Sequence, residues 1–174
     1  QILDACRSHI DGDALALIGA CFDALYNLAN NKNAAAAVVD AGLCEACVHC
    51  ARVYDTCHDL VVQAVKLIGV LTFDAGAVRL LSKCGAAAVL ADALRSRADD
   101  RDFVYDAILG LANLATLDDA IEAFRHEPTR LAVLGDVLEL HRDDAEIATF
   151  ALKVMVRLAA SDELSKAIAE LVGK

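Results

Sequence analysis

A leucine returns along this chain at Leu28, Leu71, Leu114 and Leu158, with spacings of 43, 43 and 44 residues, and its neighbours return with it. Stacking the segments aligns Leu17, Leu60, Phe103 and Ile147 in one column and Cys21, Ala64, Ala107 and Ala151 in a second. Two further columns hold Leu25, Ile68, Leu111, Met155 and Ala24, Leu67, Gly110, Val154. A period in the low forties whose units carry helix-spaced apolar positions predicts stacked helical units, each burying its apolar face against its neighbours. Such arrays usually bind other molecules and do no chemistry of their own.

Composition agrees with helix throughout. The 174 residues contain one Pro and nine Gly, the two residues that most penalise helix interiors, and no strand pattern is visible. The formal charge of −10 speaks against nucleic acid as a partner, because binding a phosphate backbone needs clustered Lys and Arg. Charges such as Asp23, Lys66 and Asp106 interrupt every apolar run before the roughly 18 residues that a membrane span requires. No secretory leader is expected, since the opening residues carry no leader pattern. An odd count of seven cysteines, all at or near helical positions, points to reduced thiols and a cytoplasmic or nuclear setting.

Each period divides into three apolar-periodic stretches. The long helices are predicted at about 14–30, 57–73, 101–116 and 144–160, with Leu17, Cys21, Ala24, Leu25 and Leu28 forming the first buried stripe. Start signals are Asp11 to Asp13 for the first and Asp55-Thr56 for the second. Short helices follow at 32–40, 75–84, 117–126 and 162–172, and Gly42 and Gly85 close the first two, as residues just past helix ends should. Middle helices occupy 43–54, 86–97 and 130–141, and 2–10 reads as another. Pro128 stands where the glycines stood, with one extra residue that accounts for the spacing of 44. The chain opens and closes on helical pattern, so it reads as an excised piece of a longer array, with end helices suited to end-to-end self-association of the fragment.

The segment Ala24-Leu25-Tyr26-Asn27-Leu28-Ala29, followed by Asn33 and Val38-Val39-Asp40-Ala41-Gly42, resembles the armadillo-repeat family, and Leu111-Ala112-Asn113-Leu114-Ala115 repeats the phrase. By periodicity the resemblance spans residues 1–174; its motif words are strong in two units and degenerate elsewhere. It implies an all-α fold, a right-handed α-solenoid of about four armadillo-type three-helix repeats, truncated at both ends. A related HEAT-like array would need 32–42 and 75–85 to be loops, and loops of that length and apolar content are improbable. In the family the long helix lines a concave groove, where an Asn on successive units binds the main chain of an extended peptide. The matching positions are Asn27, Val70, Asn113 and Arg157. The tryptophan ladder of nuclear-import receptors has no counterpart: its places hold Asp23, Lys66, Leu109 and Lys153.

Two readings compete for Cys44, Cys47 and Cys50, with His49, Cys57 and His58 nearby. The CxxCxxC spacing suggests a metal site. The repeat register instead places Cys44 with Ala87 and Leu131, Cys47 with Leu90 and Leu134, and Cys50 with Ala93 and Val137, all core positions, and the register carries more weight because free cysteine packs as a small hydrophobe. No HxE element, phosphate loop or nucleophile elbow occurs, so no catalytic residue, cofactor or metal site is assigned. His126-Glu127 and His141-Arg142 are predicted in solvated or capping roles, and Asp99-Asp100 and Asp143-Asp144 as helix caps.

The candidate partner-binding residues lie off the core stripe, in the Asn column and one and two turns before it: Asp23 and Asn27, then Gln63 and Lys66, then Asp106 and Asn113, then Phe150, Lys153 and Arg157. Acidic character leads at one end and basic character at the other. The expected partner is another protein, held as an extended or helical segment along the groove; the alternative is a chaperone-cofactor type armadillo domain that grips a folded domain.

Overall fold

The computed structural model describes residues 12–173, so the middle helix read over 2–10 and the start signal at Asp11 lie outside the described residues. Among the described residues the chain is all helical, with eleven helices and no strand. The long helices are α1 (Gly12–Ala29), α4 (His58–Leu71), α7 (Arg101–Leu114) and α10 (Ala145–Leu158). Short helices α2 (Lys32–Asp40), α5 (Ala75–Lys83), α8 (Asp118–His126) and α11 (Asp162–Val172) follow them. Middle helices α3 (Leu43–Val53), α6 (Ala86–Ser96) and α9 (Thr129–Leu140) complete the order.

The helices pack in ranks. Each long helix lies on the next, α1 on α4, α4 on α7 and α7 on α10, while α3 meets α6 and α6 meets α9. The short helices α5, α8 and α11 also meet in succession. Like therefore packs on like, one unit further along, which is why residues of one column share one environment. Leu60, Phe103 and Ile147 are buried, as are Ala64, Ala107 and Ala151. The cysteine columns behave likewise: Cys44, Cys47 and Cys50 are fully enclosed in a continuous core with Leu90, Leu131, Leu134 and Val137.

The first unit departs from the predicted stripe. Leu17 is 64% exposed and Leu28 45%, whereas Ile18 and Phe22 are buried at 2% and 1%. In α4 and α7, which pack on α3 and α6, the Leu17 column is buried. No described helix precedes α1, which packs on α2 and α4, and its buried residues are Ile18 and Phe22 instead.

Local chemistry explains the boundaries. Gly42 and Gly85 adopt φ of 86° and 79°, a left-handed conformation that lets a short helix turn directly into a middle one without a Cβ penalty. Pro128 cannot do this; it stands at φ −60°, and the extra residue before it, with Glu127 extended at φ −136°, supplies the turn instead. Asp100 caps α7 by accepting from the Phe103 amide, and Asp144 caps α10 by accepting from Glu146 and Ile147. Asp74 caps α5 through Gly76 and Ala77. The cap expected at Asp55-Thr56 is not formed. The chain turns once more there, with the Cys57 amide donating to the Tyr54 carbonyl at 2.8 Å, and Cys57 opens α4 with no side-chain cap. His141 meets a carbonyl, as expected of a helix-end histidine, yet not one of its own helix: Nε2 lies 2.6 Å from the Ala98 oxygen, one unit earlier.

Burial pushes the Cys44 thiol up to about 12, with Glu45, Cys84 and Asp74 adding to the rise, so its reactive thiolate is suppressed. In native protein, dithionitrobenzoate is expected to label the half-buried Cys21 and Cys57 and to reach Cys44, Cys47 and Cys50 only on unfolding. Mass mapping of the labelled peptides checks this; rapid native labelling at Cys47 would contradict it.

Candidate protein-binding face

Because consecutive long helices are in contact, several of the residues selected by register engage side chains of the neighbouring long helix. On the α1–α4 boundary, Gln63 Nε2 donates to Asp23 Oδ2 at 3.1 Å. The other Gln63 amide atom, Oε1, is enclosed without a hydrogen-bond partner. It lies over Gly19, where a Cβ would stand 2.6 Å from it. The Lys66 ammonium sits 4.4 Å above the Tyr26 ring, a cation–π contact between the same two helices.

At the α4–α7 boundary, Asp106 is half-buried, and burial pushes its carboxyl up to about 6; Lys66 pulls it down and Asp102 pushes it up further. Asn113 Nδ2 donates to Thr72 Oγ1 at 2.9 Å, and that hydroxyl donates to the Gly69 carbonyl at 2.6 Å. One of the two amide hydrogens of Asn113 is thus already engaged inside the stack. At the α7–α10 boundary, Phe150 meets Tyr105 edge-on with centroids 5.9 Å apart, and the Lys153 ammonium lies 4.9 Å over Phe150. Arg101 covers Tyr105 at 5.3 Å and donates from Nε to Asp144 Oδ2 at 2.9 Å.

The nine candidate residues therefore divide in two. Asp23, Gln63, Lys66, Asp106, Asn113 and Phe150 are tied to neighbouring long helices. Asn27, Lys153 and Arg157 are exposed tips, and among the described residues none of the three has a hydrogen-bonding or ionic side-chain partner. Sequence reading missed Tyr26, Tyr105 and Thr72. Tyr26 was visible one place before the Asn column, but the ring's use as a seat for Lys66 depends on how α1 crosses α4.

The Asp106 carboxyl carries a stability consequence. An acid whose pKa is higher folded than unfolded binds its proton more tightly in the folded state, so stability falls as pH rises from about 4 to about 6 and stays lower above. Asp106→Asn is expected to remove that loss. At pH 7 the variant should be more stable by on the order of 1 kcal/mol, a figure reduced by solvent access, with little difference at pH 4. Urea unfolding at the two pH values measures it; an Asn variant less stable at pH 7 than at pH 4 relative to wild type would reverse the sign.

Among the described residues no three His, Cys, Asp or Glu side chains come together as ion ligands would. No single described helix is long and apolar enough to cross a membrane. Fold and face together define a repeat-like, all-helical protein. Comparison with family models, with curated proteins and with solved structures finds no match to this chain.

Proposed function

We propose that this chain is an armadillo-type right-handed α-solenoid module whose long-helix face forms a concave groove and holds an extended or helical segment of a partner protein, without catalysis. The observation that supports this reading best is the division of the face. A ladder of inter-helix contacts stiffens the wall, from Gln63–Asp23 through Asn113–Thr72 to Phe150–Tyr105. Exposed polar tips remain at both ends, Asn27 on α1 and Lys153 with Arg157 on α10. A preformed wall lowers the ordering entropy that binding must overcome. An amide tip suits a main-chain contact, and the two cations suit carboxylates on the segment's other end.

The test compares proteins captured from a cell lysate by wild type, by Asn27→Ala and by Lys153→Glu. Both positions are exposed, so helicity and melting should be nearly unchanged. A partner retained by wild type and reduced about tenfold or more by Lys153→Glu supports the groove. A partner indifferent to both changes removes the groove and favours the broad grip on a folded domain expected of a chaperone cofactor.

A further inference from the structure

On the side of the middle helices, away from the candidate groove, a cavity of about 500 Å³ opens between α3, α6 and the start of α9. Its lining includes three arginines, Arg52, Arg97 and Arg130, and two aspartates, Asp55 and Asp92. Arg130 and Asp92 satisfy each other through two bonds of 2.9 and 2.8 Å. That leaves Arg52, Arg97 and Asp55, a local excess of positive charge in a chain whose formal charge is −10.

Arg97 is the unusual member. It is only 9% exposed, yet no carboxylate partners it among the described residues. Nε donates to His58 Nδ1 at 3.1 Å, Nη1 donates to Ser96 Oγ at 3.0 Å, and the group lies 5.4 Å over the Phe103 ring. All three partners are neutral when His58 accepts. A guanidinium carries more N–H groups than these bonds use, and it cannot shed its charge to escape burial. Arg52, at the other end of the lining, is exposed; it has one bond of 3.0 Å to the Cys84 carbonyl and no carboxylate. Val61, Val89 and Ala93 supply an apolar wall beside these donors.

We propose that this cavity binds an alkyl carboxylate, its oxygens accepting from the unused N–H groups of Arg97, its aliphatic part resting on the Val61–Val89 wall, and Arg52 adding positive charge from the far end of the lining. A monoanion fits better than a phosphate, because Asp55 in the same lining opposes a second negative charge. The carboxylate could come from a free organic acid or from the C-terminus of a peptide, and the experiment separates the two.

The intact chain is titrated with sodium butyrate, with an acetylated tri-alanine peptide, and with the C-terminal amide of that peptide, following the Arg97 Nε–H and neighbouring amide signals by NMR. Sodium chloride at equal ionic strength is the control. Saturable shifts with butyrate alone assign a free acid; tighter binding of the free-carboxyl peptide assigns a chain terminus; the amide should do neither. Asp55→Asn should tighten binding about threefold to tenfold, and Arg52→Gln should weaken it by a similar factor. Both positions are exposed, so neither variant depends on a refolded core. Arg97→Gln should abolish the shifts. The proposal is overturned by the absence of saturable shifts, by equal shifts with chloride or the amide, or by an affinity indifferent to Asp55→Asn.

Discussion

Phe124→Ala is expected to lower stability by about 3–5 kcal/mol, the range for removing a buried aromatic side chain without full collapse of the cavity. Phe124 is fully enclosed on the short helix α8, which packs on α5, α6, α9 and α11 and so joins the third unit to its neighbours on both sides. In a chain where each unit holds the next, loss of that contact weakens two junctions at once. Denaturant unfolding followed by circular dichroism measures the change. Leu140→Ala serves as the control: that leucine is 58% exposed, and its loss should stay within about 0.5 kcal/mol. Similar losses for the two variants would mean that α8 does not hold the units together.

Gly69→Val is expected to cost about 3 kcal/mol through overpacking. A Cβ on Gly69 would stand 3.0 Å from the backbone oxygen of Asp106, and Gly110 on α7 closes the same crossing, its own Cβ position 3.7 Å from the Gly69 Cα. Main chain meets main chain here, so relief requires α4 and α7 to separate, which disturbs the Asn113–Thr72 bond near the end of the same boundary. Gly135→Ala offers the contrast. The nearest atoms to its Cβ would all belong to the branched tip of Leu171, at 3.0–3.3 Å, a side chain that can turn away. The roughly 1 kcal/mol that alanine gains over glycine in a helix should then leave Gly135→Ala neutral or slightly stabilised. Thermal melts of the pair decide; a Gly69→Val protein melting with wild type would show that the two long helices are less closely apposed than 3.0 Å implies.

The repeat made much of this legible in advance. Columns such as Leu60, Phe103, Ile147 and Cys47, Leu90, Leu134 are buried together because identical registers meet identical neighbours. The same logic placed the cysteines of α3 in the core on the strength of their column partners alone. It failed for Leu17, Ala24 and Leu28, which are exposed on α1, the long helix that has no described middle helix before it, whereas α4, α7 and α10 pack on α3, α6 and α9. It failed also at Asp55-Thr56, where the acid–hydroxyl pair looks like a cap although the turn begins the helix two residues later. For the candidate face, register named the positions but not their partners. Tyr26 under Lys66 and Thr72 beneath Asn113 arise from helix crossing, which no single-helix pattern encodes.

Sequence alone determined the helical state, the order of long, short and middle helices and most of the core, because apolar spacing, glycine at positive φ and scarce proline act over a few residues at a time. Tertiary structure alone decided which side chains are tied down and which stay exposed, and it alone buried Arg97 beside an open cavity. Those outcomes depend on distances between units about forty residues apart, as where the backbones of α4 and α7 approach at Gly69 and Gly110.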